Sequence, residues 1–66
     1  MPVWPEELHI SLEECDAAGN EVVEVLARLS NVVIGRAAWK AAWRLRPHAR
    51  IVLRDRARVI EDSARS

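Results

Sequence analysis

The sequence predicts an α+β fold of two layers, one helix packed on a small antiparallel or mixed sheet, in the order β-β-α-β with a fourth strand to follow. Three observations predict it. Leu8, Ile10 and Leu12 alternate with His9, Ser11 and Glu13, the period of a half-buried strand. The run GRAAWKAAWRLRP at 35–47 is rich in helix formers and ends at Pro47, which cannot continue a helix. The β-branched pairs Ile51-Val52 and Val59-Ile60 then return the chain to strand. At 66 residues the chain is a single domain over 1–66. A domain of that size buries only about 60% of the surface its unfolded chain exposes. At roughly 0.1 kcal/mol per residue its stability is about 6–7 kcal/mol, so one aromatic cluster weighs heavily.

Each element has its local reason. MPVWPEE carries two prolines around Trp4 and reads as an extended arm over 1–7. The first strand ends at DAAGN (16–20), where Gly19 and Asn20 both tolerate positive φ and allow a hairpin loop of four or five residues. In the return strand EVVEVLARL, strict alternation places Val23, Val25, Ala27 and Leu29 on one face and Val22, Glu24, Leu26 and Arg28 on the other. Ser30 and Asn31 are good N-cap types, so the helix spans about 31–46. At 100° per residue Ile34, Ala38, Ala41, Ala42 and Leu45 fall in one arc, and this arc is expected to face the sheet. Arg36, Lys40 and Arg44 line the opposite stripe, with Trp39 and Trp43 between the two, nearer the basic side. ARIVLRDRARVIED reads as a hairpin with Asp55 and Arg56 at its tip, or as one long strand; residues 62–66 are expected to fray.

The net charge is zero, but its distribution is lopsided. Every charged residue up to Ala27 is an acid, seven in all, whereas nine basic residues face the lone acid Asp55 between Arg28 and Arg58. Either the two halves lie together and neutralise each other, which is the favoured reading, or the basic half meets an external polyanion. In the second case Arg44, Arg46, Arg50, Arg54, Arg56 and Arg58 are the candidate contacts, with the indoles stacking on bases of a single-stranded nucleic acid.

Catalytic and ligand-binding patterns are scarce. Glu13 and Glu14 are neighbours on a strand and point to opposite faces, so they do not pair as acid and base. Cys15, His9 and His48 lack the spacing of a zinc site, and no metal or cofactor is expected. Gly19 and Gly35 make no phosphate loop, Ser11 and Cys15 sit on no nucleophile turn, and no enzyme is expected. The single cysteine argues against a disulfide framework, and no apolar stretch approaches about 18 residues. The expectation is a soluble, cytoplasmic protein with no membrane partner.

LSNVVIGRAAWKAAWRLRP followed by RIVLRDRARVIEDS resembles short uncharacterised bacterial proteins that join a hairpin to an Ala-rich helix and end in a similar ARVIE stretch. The resemblance covers about residues 8–63, nearly one domain by size, and implies no activity. Arg56 departs from it, since glycine suits that turn better. The same element order occurs in β-grasp domains and in many unrelated small proteins, so topology assigns no function.

What remains is the helix. Two indoles bury about 300–500 Å², worth roughly 8–12 kcal/mol gross if fully covered, which rivals the stability of the whole fold. At least one is expected to be buried: under the Trp4 arm, against a second copy, or against a foreign partner. The function that follows is a small protein-interaction module, acting as a homodimer or as an accessory or inhibitor of a larger protein. Its expected contact surface is Trp39 and Trp43 flanked by Arg36 and Lys40. Apolar residues outside the helix-facing side of the sheet (Val22, Leu26, Val52, Val59) form a second expected surface.

Overall fold

The computed structural model describes residues 8–65, and the expected arm, Trp4 included, lies outside them. Strands β1 (Ile10–Cys15) and β2 (Val22–Leu29) form the first hairpin, α1 (Val32–Leu45) crosses over, and β3 (Arg50–Asp55) and β4 (Arg58–Asp62) form the second. A short 3-10 turn, Ser63–Arg65, closes the chain. The sheet order is β2-β1-β3-β4 with every pair antiparallel, so the α+β fold has a purely antiparallel sheet and its fourth strand is present.

The first hairpin turns on Asp16 and Gly19. The Asp16 N–H donates to the Glu21 carbonyl at 3.0 Å, and the Asp16 carboxylate accepts from the Asn20 N–H at 2.8 Å. This is the Asx bonding that lets a short polar side chain hold a turn. Gly19 takes φ 76°, a conformation that costs glycine nothing. Strict alternation fails in β2. The register skips Leu26 between the pairs Leu12–Ala27 and Glu13–Val25, and skips Val23 between Glu14–Glu24 and Cys15–Val22. Each skip is a bulge that shifts the following side chains to the other face. Leu26, expected away from the helix, therefore packs against the core beside Ala27 and Leu29.

Helix α1 begins where Asn31 ends the β2 connection. The Asn31 Oδ1 accepts from Val33 N–H (2.8 Å) and Ile34 N–H (3.1 Å), satisfying two donors that the first turn leaves without partners. The helix does not present the expected arc to the sheet. Ile34, Ala41 and Leu45 are exposed, and Gly35 and Trp39 are the buried positions, with Ala38, Ala42 and Trp43 half-buried. The physical reason is size: rolling the helix by about a quarter turn exchanges alanine methyls for an indole in the core. Gly35 permits the close approach, since a Cβ there would lie 3.2 Å from Leu53 and 3.3 Å from Ile10.

The core is Ile10 and Leu12 of β1, Ile51 and Leu53 of β3, and Trp39 above them. The second hairpin is a two-residue turn at Arg56-Ala57, one residue beyond the expected tip. Arg56 takes φ 55°, among the described residues the one non-glycine side chain in the left-handed region. Its N–H still donates to the His9 carbonyl at 3.0 Å, extending the β1–β3 ladder. Residues 62–65 do not fray. Asp62 is buried in β4, and the Ser63 Oγ accepts from the Ile51 N–H at 2.9 Å.

Arg56→Gly removes the left-handed penalty at a position whose backbone is already set. It is expected to raise stability by about 1 kcal/mol, seen as a Tm increase of about 4–8 °C with no change in the circular dichroism spectrum.

Candidate interaction surface

Trp39 is 5% exposed, and its Nε1–H donates to the Ile51 carbonyl at 2.8 Å. The N–H and C=O of one strand residue point to the same side, here toward β4. Ile51 lies one residue past the last β3–β4 pair, Val52–Asp62. Its N–H is taken by Ser63 and its C=O by the indole, so the end of the ladder is closed by two side chains. Trp43 packs on Trp39 with ring centroids 5.2 Å apart and planes tilted by 43°. Of the expected contact residues, then, Trp39 belongs to the core and Trp43 is half-buried beside it. Arg36 lies on the β4 side, bonded to Glu61 at 3.0 Å, and Lys40 is exposed.

The basic residues divide in two. Arg46, the C-cap of α1, donates to Glu14 (2.7 Å) and Glu24 (3.1 Å) in the first hairpin, and Arg54 donates to Glu13 at 3.2 Å. The acidic and basic halves thus lie together. Arg50 grips Asp62 with two bonds, of 3.1 and 2.7 Å, and also donates to the Ala17 carbonyl. That bidentate bond, above all, holds the Asp62 carboxyl below the ordinary carboxylate range despite burial. Lys40, Arg44, Arg56 and Arg58 make no ion pair with another described residue; Lys40 and Arg44 share one face of α1, and Arg56 and Arg58 lie at the second hairpin's turn.

An open depression of about 540 Å³ lies at the end of the sheet where α1 stops, bordered by Cys15, Trp43, Pro47 and His48 among others. Apart from Cys15 and His48, its polar side chains are committed to structure: Glu14 to Arg46, Arg50 to Asp62, Asp16 to its loop, Ser63 to Ile51. Burial, then the neighbouring Glu13 charge, pushes the Cys15 thiol up, away from the reactive thiolate.

The expected helix arc reappears here as surface. Ile34 (60% exposed), Ala38, Ala41 and Leu45 (81%) form a stripe about 110° round the helix from the buried arc, on the side away from Arg36 and Glu61. That side overlooks the edge strand β2, whose exposed Val22 and Val25, paired with Cys15 and Glu13, lie on the sheet face away from the helix. Four strands at about 4.8 Å span about 19 Å, and one helix about 10 Å across covers two of them. Helix α1 packs mainly on β1 and β3 and touches β2 little. The result is a step: α1's stripe as wall, the half-buried Leu26, Ala27 and Leu29 of β2 as floor. A shallow groove of about 450 Å³, with no α1 residue in its lining, runs at the β2 edge from Leu8 to Arg28. The wheel alone carried this stripe; what it lacked was the roll of the helix.

No helix among the described residues is long and apolar enough to cross a membrane, and none of their His, Cys, Asp and Glu side chains group as a metal site. No family model matches the chain, and no curated protein or solved structure is significantly similar to it.

Trp39→Phe keeps an aromatic ring in the core but leaves a small void and strands the buried Ile51 carbonyl. Urea unfolding is expected to give a loss of about 2 kcal/mol with the m-value unchanged. Asp62 is bound more tightly as an anion in the folded state than in the unfolded chain, so its contribution is fully present above the unfolded pKa and is lost as pH falls below about 4. Asp62→Asn is expected to lower neutral-pH stability by about 2 kcal/mol and to flatten the acid limb of a stability-against-pH curve.

Proposed function

We propose that this chain is a protein-interaction module rather than an enzyme, and that it works through the step between α1 and β2. One observation carries the reading. A helix face with no charge, ending in Ile34 and Leu45 at 60% and 81% exposure, stands beside the half-buried apolar floor of β2, Leu26, Ala27 and Leu29. Contiguous apolar surface of this kind on a small domain marks a place where another chain sits. The position differs from the surface expected around Trp39: that indole serves the fold, and the contact moves round the helix to Ile34, Ala41 and Leu45.

The charge pattern supports a protein partner over a nucleic acid. Arg46, Arg50 and Arg54 are bonded to carboxylates of the same chain, and a phosphate backbone would have to compete with those bonds.

A photo-reactive amino acid placed at Leu45 in cells tests the reading, with Ala57 on the far turn as control. The expected result is a defined protein adduct from position 45 and none from position 57. Absence of a protein adduct at 45, or an adduct to nucleic acid there, overturns it.

A further inference from the structure

We infer that the occupant of the step is a second copy of this chain, its α1 lying parallel to the first across a two-fold axis, with the two sheets on the outside. The inference rests on the interaction-module reading and names its partner. Ile34, Ala38, Ala41 and Leu45 are spaced four, three and four residues apart, the repeat of a two-helix seam. The seam is uncharged, and its two central residues are alanines, which let two helix axes approach closely. Any copy brings the same stripe, so the surface is complementary to itself, as a two-fold interface requires.

The space over β2 determines how the copies are arranged. If both sheets lay in one plane, helices in contact would drive the two β2 strands into each other, because β2 projects beyond α1 on that side. Rotation about an axis along the helices avoids this. The second α1 then rests on the floor of β2 that the first α1 leaves uncovered, and this chain's α1 lies under β2 of the second copy. Helix and strand run in opposite directions, since the Arg46 cap bonds Glu24 near the start of β2 and Asn31 opens the helix just after its end. The outer side of α1 therefore meets the other β2 in a matched order. Val33, 71% exposed, falls near Leu29 of the second copy, Ala37 near its Ala27, and Arg44 near its Glu21 and Glu24. Apolar groups meet apolar groups and a cation meets acids, and the symmetry repeats every contact twice.

Light scattering and sedimentation on the full chain at about 100 µM are expected to give twice the 7.5 kDa of one chain. Ala41→Glu puts two facing carboxylates into the seam and is expected to weaken association by about 100-fold or more, while the exposed site leaves the circular dichroism spectrum unchanged. Leu45→Cys is expected to form an inter-chain disulfide on mild oxidation. An antiparallel helix pair would hold the two position-45 residues about 16 Å apart and give none. A 7.5 kDa species throughout overturns the second copy as partner, and the adduct at position 45 then decides separately whether another protein takes its place. A dimer indifferent to Ala41→Glu overturns the seam, and one without the position-45 disulfide overturns the parallel arrangement.

Discussion

The seating of Trp39 governs the rest of the molecule. In a core whose other fully buried side chains are aliphatic groups of two strands, the indole is the largest apolar surface available, and its N–H requires an acceptor once buried. The Ile51 carbonyl supplies that acceptor because β4 pairs no further than Asp62. Packing and hydrogen bond together set the rotation of α1 about its own axis. Gly35 then falls against Leu53 and Ile10, Trp43 stacks on the outer side of Trp39, and Arg36 comes within reach of Glu61.

The same rotation exports the alanine face. With Trp39 inward, Ile34, Ala41 and Leu45 point over β2, and no other described element covers them. A single helix on four strands leaves a flank bare on either side. The β4 flank is closed by the Arg36–Glu61 pair, whereas on the β2 flank the Arg46–Glu24 pair bridges only at the end of the helix. The asymmetry of the exposed surface is therefore a consequence of which side of the helix carries arginine and which carries alanine.

Electrostatics organise the fold without driving it. Arg46 ties the end of α1 to Glu14 and Glu24, Arg54 ties β3 to Glu13, and Arg50 ties the first loop to Asp62. The exposed pairs of Arg46 contribute less than the burial of one indole, whereas Glu13, the partner of Arg54, is itself buried. The effect of these pairs is on arrangement: they bring the acidic hairpin against the basic second half and leave Lys40, Arg44, Arg56 and Arg58 outside any ion pair with the described residues. Arg50 and Asp62 are the exception in energy, being half-buried and buried and joined by two bonds.

Local chemistry made much of this legible in the sequence itself: the regular elements in order, with a hairpin or one long strand open for the last two, the Asn31 cap, the Gly19 turn, the poor fit of Arg56, and, as the favoured of two readings, the pairing of acidic with basic halves. These depend on neighbours a few residues away or on bulk charge, so a linear reading reaches them. The bulges at Leu26 and Val23, the extra turn after Asp62 and the roll of α1 were decided only by the tertiary structure. The helical wheel showed an apolar arc of alanines beside two indoles but could not say which would face the sheet. That choice depends on the space above Ile10, Ile51 and Leu53 and on a carbonyl left open at the end of a ladder, and neither exists until strands distant in sequence have come together.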